Sequence, residues 1–131
     1  LVGLETGMEQ LLDYPYGCTE QLVSRLVPLL PLRDLARDFQ LKLPGDVDRL
    51  IGKTVAAILA NQRGDGGFGF WAESPYANAW VTAYALWGLH EAKRYGVAVP
   101  ASSIETARAS PVIPRLSTLD SRSASFETCV I

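Results

Sequence analysis

A cysteine and a glutamine three positions apart, Cys18 and Gln21, carry the most specific chemical possibility in this chain, within the segment Tyr14-Pro15-Tyr16-Gly17-Cys18-Thr19-Glu20-Gln21. If Gly17 and Cys18 form a turn that leads into a helix, positions i and i+3 share one face, and the thiol meets the carboxamide. Attack of the sulfur on the Gln21 amide carbon, with loss of ammonia, gives an internal β-cysteinyl-γ-glutamyl thioester. Sulfur donates less electron density into a carbonyl than nitrogen does, so the thioester is a better acyl donor than the amide it replaces. The positive end of a helix favours thiolate, and so favours sulfur as a leaving group. An incoming amine or hydroxyl would take the glutamyl group and release Cys18, once per molecule, as in nucleophilic catalysis but without turnover. Water would do the same, so apolar or aromatic walls must cover the bond until it is needed. Tyr14 and Tyr16 are local candidates for that cover; Trp71 and Trp80 could supply it from neighbouring elements. Glu20 has two readings: a polar group that orients the Gln21 amide, or a first-turn acid favoured by the helix dipole.

Other reactive residues offer less. His90 is the only histidine, and it reads as a surface or interface residue near the end of a helix. Cys18 and Cys129 make no disulfide framework, and no cysteine or histidine near either gives zinc-ligand spacing, so no metal and no cofactor are expected. Arg63-Gly64-Asp65 sits among glycines and reads as a turn rather than an adhesion tripeptide. The 12 basic and 14 acidic residues are mixed, with a net charge of −2, and form no basic stripe for nucleic acid. No run of 18 apolar residues spans a membrane. The chain of 131 residues, 48% hydrophobic and 20% charged, is long enough for one ordinary domain. It begins in mid-pattern at Leu1, without a start methionine or signal peptide, as a piece of something larger would.

The elements that must position Cys18 and Gln21 read as amphipathic helices joined by Gly/Pro turns. Leu4, Met8, Leu11 and Leu12 follow one helical face. Pro15 and Gly17 break it. A second helix starts near Cys18 and carries Leu22, Val23, Leu26, Val27 and Leu30, with Pro28 and Pro31 kinking or ending it. Leu32 to Leu43 is a weaker stretch with Leu35, Phe39 and Leu43 on one side. Asp46 is an N-cap for the clearest helix, whose broad face holds Val47, Leu50, Ile51, Val55, Ile58 and Leu59. A glycine-rich turn from Asn61 to Gly67 precedes Phe68, Phe70 and Trp71. Ser74-Pro75 starts the next element, in which Trp80, Val81, Tyr84 and Trp87 share a side, and core packing is the expected role of those aromatics. Gly96 stands where a C′ residue ends a helix, after Lys93 and Arg94. Ser102 and Glu105 have the spacing of a capping box and announce a helix from about Ser103.

Residues 101–131 hold seven serines against two in residues 1–100, and Pro111 and Pro114 arrive where a helix should continue. The expected organisation is therefore a helical region over residues 1–107 and an irregular or disordered serine-rich tail over 108–131. No period-2 alternation marks a strand. The fold class is all-α, and the paired helices suggest an α/α array in which each hairpin needs a stacked neighbour.

Gly17-Cys18-Thr19-Glu20-Gln21 resembles the Gly-Cys-x-Glu-Gln thioester motif of the α2-macroglobulin and complement family, and the longer Tyr14 to Gln21 segment is similar to its bacterial members. Asn61-Gln62 followed by Asp65-Gly66-Gly67-Phe68-Gly69 resembles a loop of that family's thioester domain. Ala79-Trp80-Val81-Thr82-Ala83-Tyr84-Ala85-Leu86 resembles its Trp-x-Thr-Ala-aromatic helix. The likeness covers Gly3 to Ala107, the first part of such a domain. It implies a partial α/α toroid, with Cys18 and Gln21 as the thioester pair and Gly17, Glu20, Tyr14 and Tyr16 in support. It further implies a protease inhibitor rather than an enzyme. In the parent protein, cleavage of a bait segment exposes the thioester, which acylates lysine amines of the attacking protease. The partners implied are target proteases and the parent's remaining domains; the location implied is the periplasm or cell envelope. Members that favour hydroxyl acceptors carry a downstream histidine, which His90 does not match. Two alternatives stand beside this reading: a toroid-type enzyme module like terpenoid cyclases or prenyltransferases, for which no acidic motif or zinc site is seen, and a truncated product without function.

Overall fold

The computed structural model describes residues 17–43 and 45–113. The residues of the helix expected over Leu4 to Leu12, Tyr14, Tyr16, Cys129 and the residues beyond 113 lie outside the described residues. The described chain forms four helices: α1 Thr19–Asp38, α2 Val47–Ala60, α3 Ala79–Arg94 and α4 Ala101–Ala109. Among the described residues the only β pairing is a single bridge, Gln62 to Phe68. No described helix is long and apolar enough to cross a membrane. The fold is all-α, a partial α/α toroid.

Helix α1 is the centre. It packs against α2 on one side and α3 on another, and α4 leans on α3. Leu22, Val23, Leu26, Leu29 and Leu30 of α1 meet Val47, Ile51, Val55 and Ile58 of α2 and Val81, Ala85, Leu89 and Ala92 of α3. A helix flanked by two neighbours is apolar over a wider arc than one face, which explains why its apolar residues are so dense. Pro28 and Pro31 do not end it: α1 runs through both for 20 residues, and the separate stretch expected after Leu32 is its last two turns. Both prolines stand on the exposed side. The carbonyls of Ser24 and Val27 lose their helical donors there, and solvent can replace those donors. Leu35 and Phe39 are consequently exposed rather than packed.

The helix ends follow local chemistry. Asp46 accepts from the Arg49 N–H at 2.9 Å, as expected of an N-cap. Helices α1 and α3 close alike. Leu41 N–H donates to Ala36 O at 2.8 Å and Val97 N–H to Ala92 O at 2.9 Å, the long hydrogen bond of a Schellman motif. The left-handed residue is Gly96 (φ 75°) in one and Gln40 (φ 52°) in the other. Arg33 donates to the carbonyl of Tyr95 at 2.6 Å, placing a cation on the negative end of α3. Two expectations are corrected. Helix α3 starts with Asn78 as its cap, accepting from Val81 N–H at 3.1 Å, and not at Ser74-Pro75. Helix α4 starts at Ala101 after Pro100, without the Ser102 capping box: the fixed φ of a proline already sets the entry angle.

Candidate functional site

Cys18 is the N-cap of α1, with extended backbone (φ −63°, ψ 166°), and Gln21 is its third helical residue. These are the two positions of a capping box, with cysteine where serine or threonine commonly stands. The reciprocal contacts are present: Cys18 Sγ faces the Gln21 backbone N–H, and the Cys18 N–H donates to Gln21 Oε1 at 3.1 Å. The orphan N–H groups of a helix start thus draw the thiol and the carboxamide toward each other. Cys18 is half-buried and in no disulfide, and Gln21 is exposed. Gly17 leaves room for this fold-back: a Cβ there would sit 3.2 Å from Gln21 Cβ and 3.6 Å from Gln21 Oε1.

Thr19, the variable position of the motif, holds the helix start in place. It is fully buried. Its N–H donates to Phe70 O at 2.8 Å, its hydroxyl donates to Gly69 O at 2.6 Å, and that hydroxyl accepts from Asn61 Nδ2 at 2.8 Å. The loop that receives it is itself clamped. Thr82 of α3 accepts from Phe68 N–H at 2.8 Å and donates to Asn78 O at 2.7 Å. Gln62 Nε2 lies 2.9 Å from Ser103 O and 3.1 Å from Thr106 Oγ1 on α4. Gly66 (φ 85°) is required here, because a Cβ would stand 2.2 Å from Thr106 O. Thr19, Asn61 and Thr82 are positioning residues that reading by local spacing missed, since their partners lie 42, 50 and 14 positions away. The one available signal was that Thr19, Asn61 and Thr82 fall one in each of the three short segments that resemble family motifs.

Glu20 turns toward the sulfur: its Oε2 lies 3.9 Å from Cys18 Sγ, and its Oε1 accepts from Ser24 Oγ at 3.4 Å. The aromatic side of α3 departs from expectation. Trp80 and Trp87 are 57% and 45% exposed, not core. The buried side is Val81, Thr82, Ala85, Gly88, Leu89 and Ala92, because Gly88 lies against Val23 and only small residues fit so close a helix crossing. The two tryptophans instead form a ladder with Tyr84, which is half-buried and packed against the core. Trp80 stacks on Tyr84 at 5.3 Å, and Tyr84 on Trp87 at 5.5 Å. The Tyr84 hydroxyl reaches Ser24 at 3.1 Å, so the ladder stands beside the Glu20 side of α1. Trp71 is 51% exposed. His90 is exposed, and Arg63-Gly64-Asp65 is a turn closed by Gly66 N–H to Arg63 O at 2.9 Å.

Residues 2–109 match the A-macroglobulin TED domain family. The chain is 34% identical over 101 residues to α2-macroglobulin of Escherichia coli K12, a match covering 74% of this chain and 6% of that protein. It is 36% identical over 102 residues to the α2-macroglobulin homolog of Yersinia pestis, covering 74% of this chain and 5% of that one. The chain thus spans about one-twentieth of the length of these curated relatives. Among solved structures it is similar to native E. coli α2-macroglobulin spanning domain MG7 to the C-terminus. That likeness has a TM-score of 0.60 and 30% identity, over 76% of this chain and 16% of that one. It is also similar to Salmonella α2-macroglobulin reacted with methylamine, with a TM-score of 0.54 and 34% identity, over 79% of this chain and 7% of that one.

Proposed function

The chain belongs to the A-macroglobulin thioester-domain family, a family of protease inhibitors, and from that premise we propose that it carries the acyl donor of a covalent protease trap. The observation that supports this most is the capping box itself, in which a thiol and a carboxamide occupy the two reciprocal positions of one helix start. Sulfur attack on the Gln21 amide carbon places negative charge on Oε1. That oxygen already accepts the Cys18 N–H at 3.1 Å, at the positive end of a 20-residue helix. The hydrogen bond strengthens as the charge develops, which is how a fixed donor lowers a barrier. Ammonia departs and the Sγ–Cδ bond remains. Lysine amines of an attacking protease are the acceptors in this reading. Each molecule reacts once, so the chain is an inhibitor and not a turnover catalyst. The methylamine named for the Salmonella relative is an amine nucleophile of the same class. We place the parent protein in the periplasm or cell envelope, with its bait and remaining domains outside this segment.

The reading is tested by adding methylamine to the full parent protein and titrating thiols. One thiol per chain is expected to appear with the wild type and none with Cys18→Ala. A wild type whose thiol is already titratable before methylamine, and unchanged after it, overturns the reading.

A further inference from the structure

Tyr84, Ser24 and Glu20 form a chain of hydrogen bonds that ends at Cys18, and its direction is fixed by counting protons. Ser24 has one hydroxyl proton, and it goes to Glu20 Oε1 at 3.4 Å. The contact between Ser24 Oγ and Tyr84 OH at 3.1 Å must then be donated by the tyrosine. The order is Tyr84 O–H to Ser24 O–H to the Glu20 carboxylate. An ionised carboxylate only accepts, so its second oxygen remains an acceptor, and that oxygen is the one 3.9 Å from Cys18 Sγ. Tyr84 is held by stacking on both sides, against Trp80 and Trp87 with interplanar angles of 19° and 24°. A first-turn acid that merely complements the helix dipole would need none of these contacts.

Resting on the thioester reading above, we propose that Glu20 is the proton carrier of the Cys18–Gln21 reaction and that Ser24 and Tyr84 hold its carboxylate for that task. In bond formation the sulfur pair attacks the Gln21 carbonyl carbon, and the thiol proton passes to Glu20 Oε2. The C–N bond breaks, Glu20 returns the proton to the departing nitrogen, and ammonia leaves. In acyl transfer the lone pair of a free amine attacks the same carbon, and the proton shed by its nitrogen passes to Glu20. The C–S bond breaks, and Glu20 returns the proton to the Cys18 sulfur as thiol. The carboxylate ends each step as it began, and nothing is oxidised or reduced. Glu20 is the catalytic residue, since it touches the reacting sulfur; Ser24 and Tyr84 are positioning residues.

The test uses the full parent protein and the rate of methylamine-driven thiol release. Glu20→Gln is expected to slow release about 100-fold, the ordinary size of a general-base contribution. Glu20→Ala is expected to be slow as well and to recover with added formate but not with chloride at equal ionic strength. A structural role would not respond to formate. Tyr84→Phe is expected to slow release severalfold in the wild-type background and to change nothing in Glu20→Gln. A Glu20 variant that melts like wild type but has not lost ammonia also supports the proposal, since the same carrier serves bond formation. Wild-type rates in Glu20→Gln, or equal Tyr84→Phe effects in both backgrounds, overturn it. Should the Glu20 variants fail to fold, Ser24→Ala decides: a wild-type rate there overturns the proposal and a slower one supports it. A wild type that neither lacks ammonia nor releases thiol would instead mean that the thioester reading itself has failed.

Discussion

Thr19 anchors the helix start that carries Cys18 and Gln21. Its hydroxyl joins α1 to Asn61 and to the Gly69 carbonyl inside a fully buried environment. Thr19→Val keeps the shape but leaves the Asn61 amide and the Gly69 carbonyl without that partner. The expected cost is about 1–3 kcal/mol, read as a lower melting temperature, and Thr19→Ser is expected to recover most of it. Methylamine-driven thiol release should also slow in Thr19→Val, because the helix start loses its anchor. Cys18, Gln21 and Glu20 were legible as residue types at one helical spacing, since the capping chemistry is local. Thr19, Asn61 and Thr82 were not, because hydrogen bonds that join segments 14 to 50 positions apart leave no periodic trace.

Elements were legible where their ends are set by neighbours in sequence. Asp46 and Gly96 announced the start of α2 and the end of α3, since a cap is a local hydrogen-bonding device. Pro28 and Pro31 misled because their cost depends on which side of the helix faces water, and only packing decides that. The tryptophans misled for the same reason: the core side of α3 was set by how closely Val23 approaches Gly88, where a Cβ would stand 2.6 Å from Val23 Cγ1. Gly88→Ala is therefore expected to destabilise by about 1–3 kcal/mol through overpacking of α1 on α3. Gly52→Ala, in α2 with nothing within 4 Å of its added Cβ, is expected to stabilise by about 0.5–1 kcal/mol. Gln40→Gly should relieve the left-handed residue that ends α1 and stabilise by about 1 kcal/mol. Chemical denaturation of the three variants checks all three signs.

At the scale of the whole molecule, the packed core lies between α1, α2 and α3, while Phe39, Trp71, Trp80 and Trp87 stand at least 45% exposed. Aromatic surface of that extent seeks a partner. The chain alone is expected to self-associate as its concentration rises, and Trp80→Gln with Trp87→Gln to shift it toward monomer in sedimentation velocity. The all-α class and the stacking of helical pairs followed from periodicity, but which faces remain open followed only from packing. The most direct measurement of the central claim is peptide mapping by mass spectrometry of the parent protein, denatured and digested under acid before and after methylamine. The account predicts a Cys18–Gln21 peptide lighter by one ammonia beforehand, and afterwards methylamine on Gln21 with a free thiol at Cys18. An intact carboxamide and thiol in the untreated protein, with no label after treatment, would contradict it.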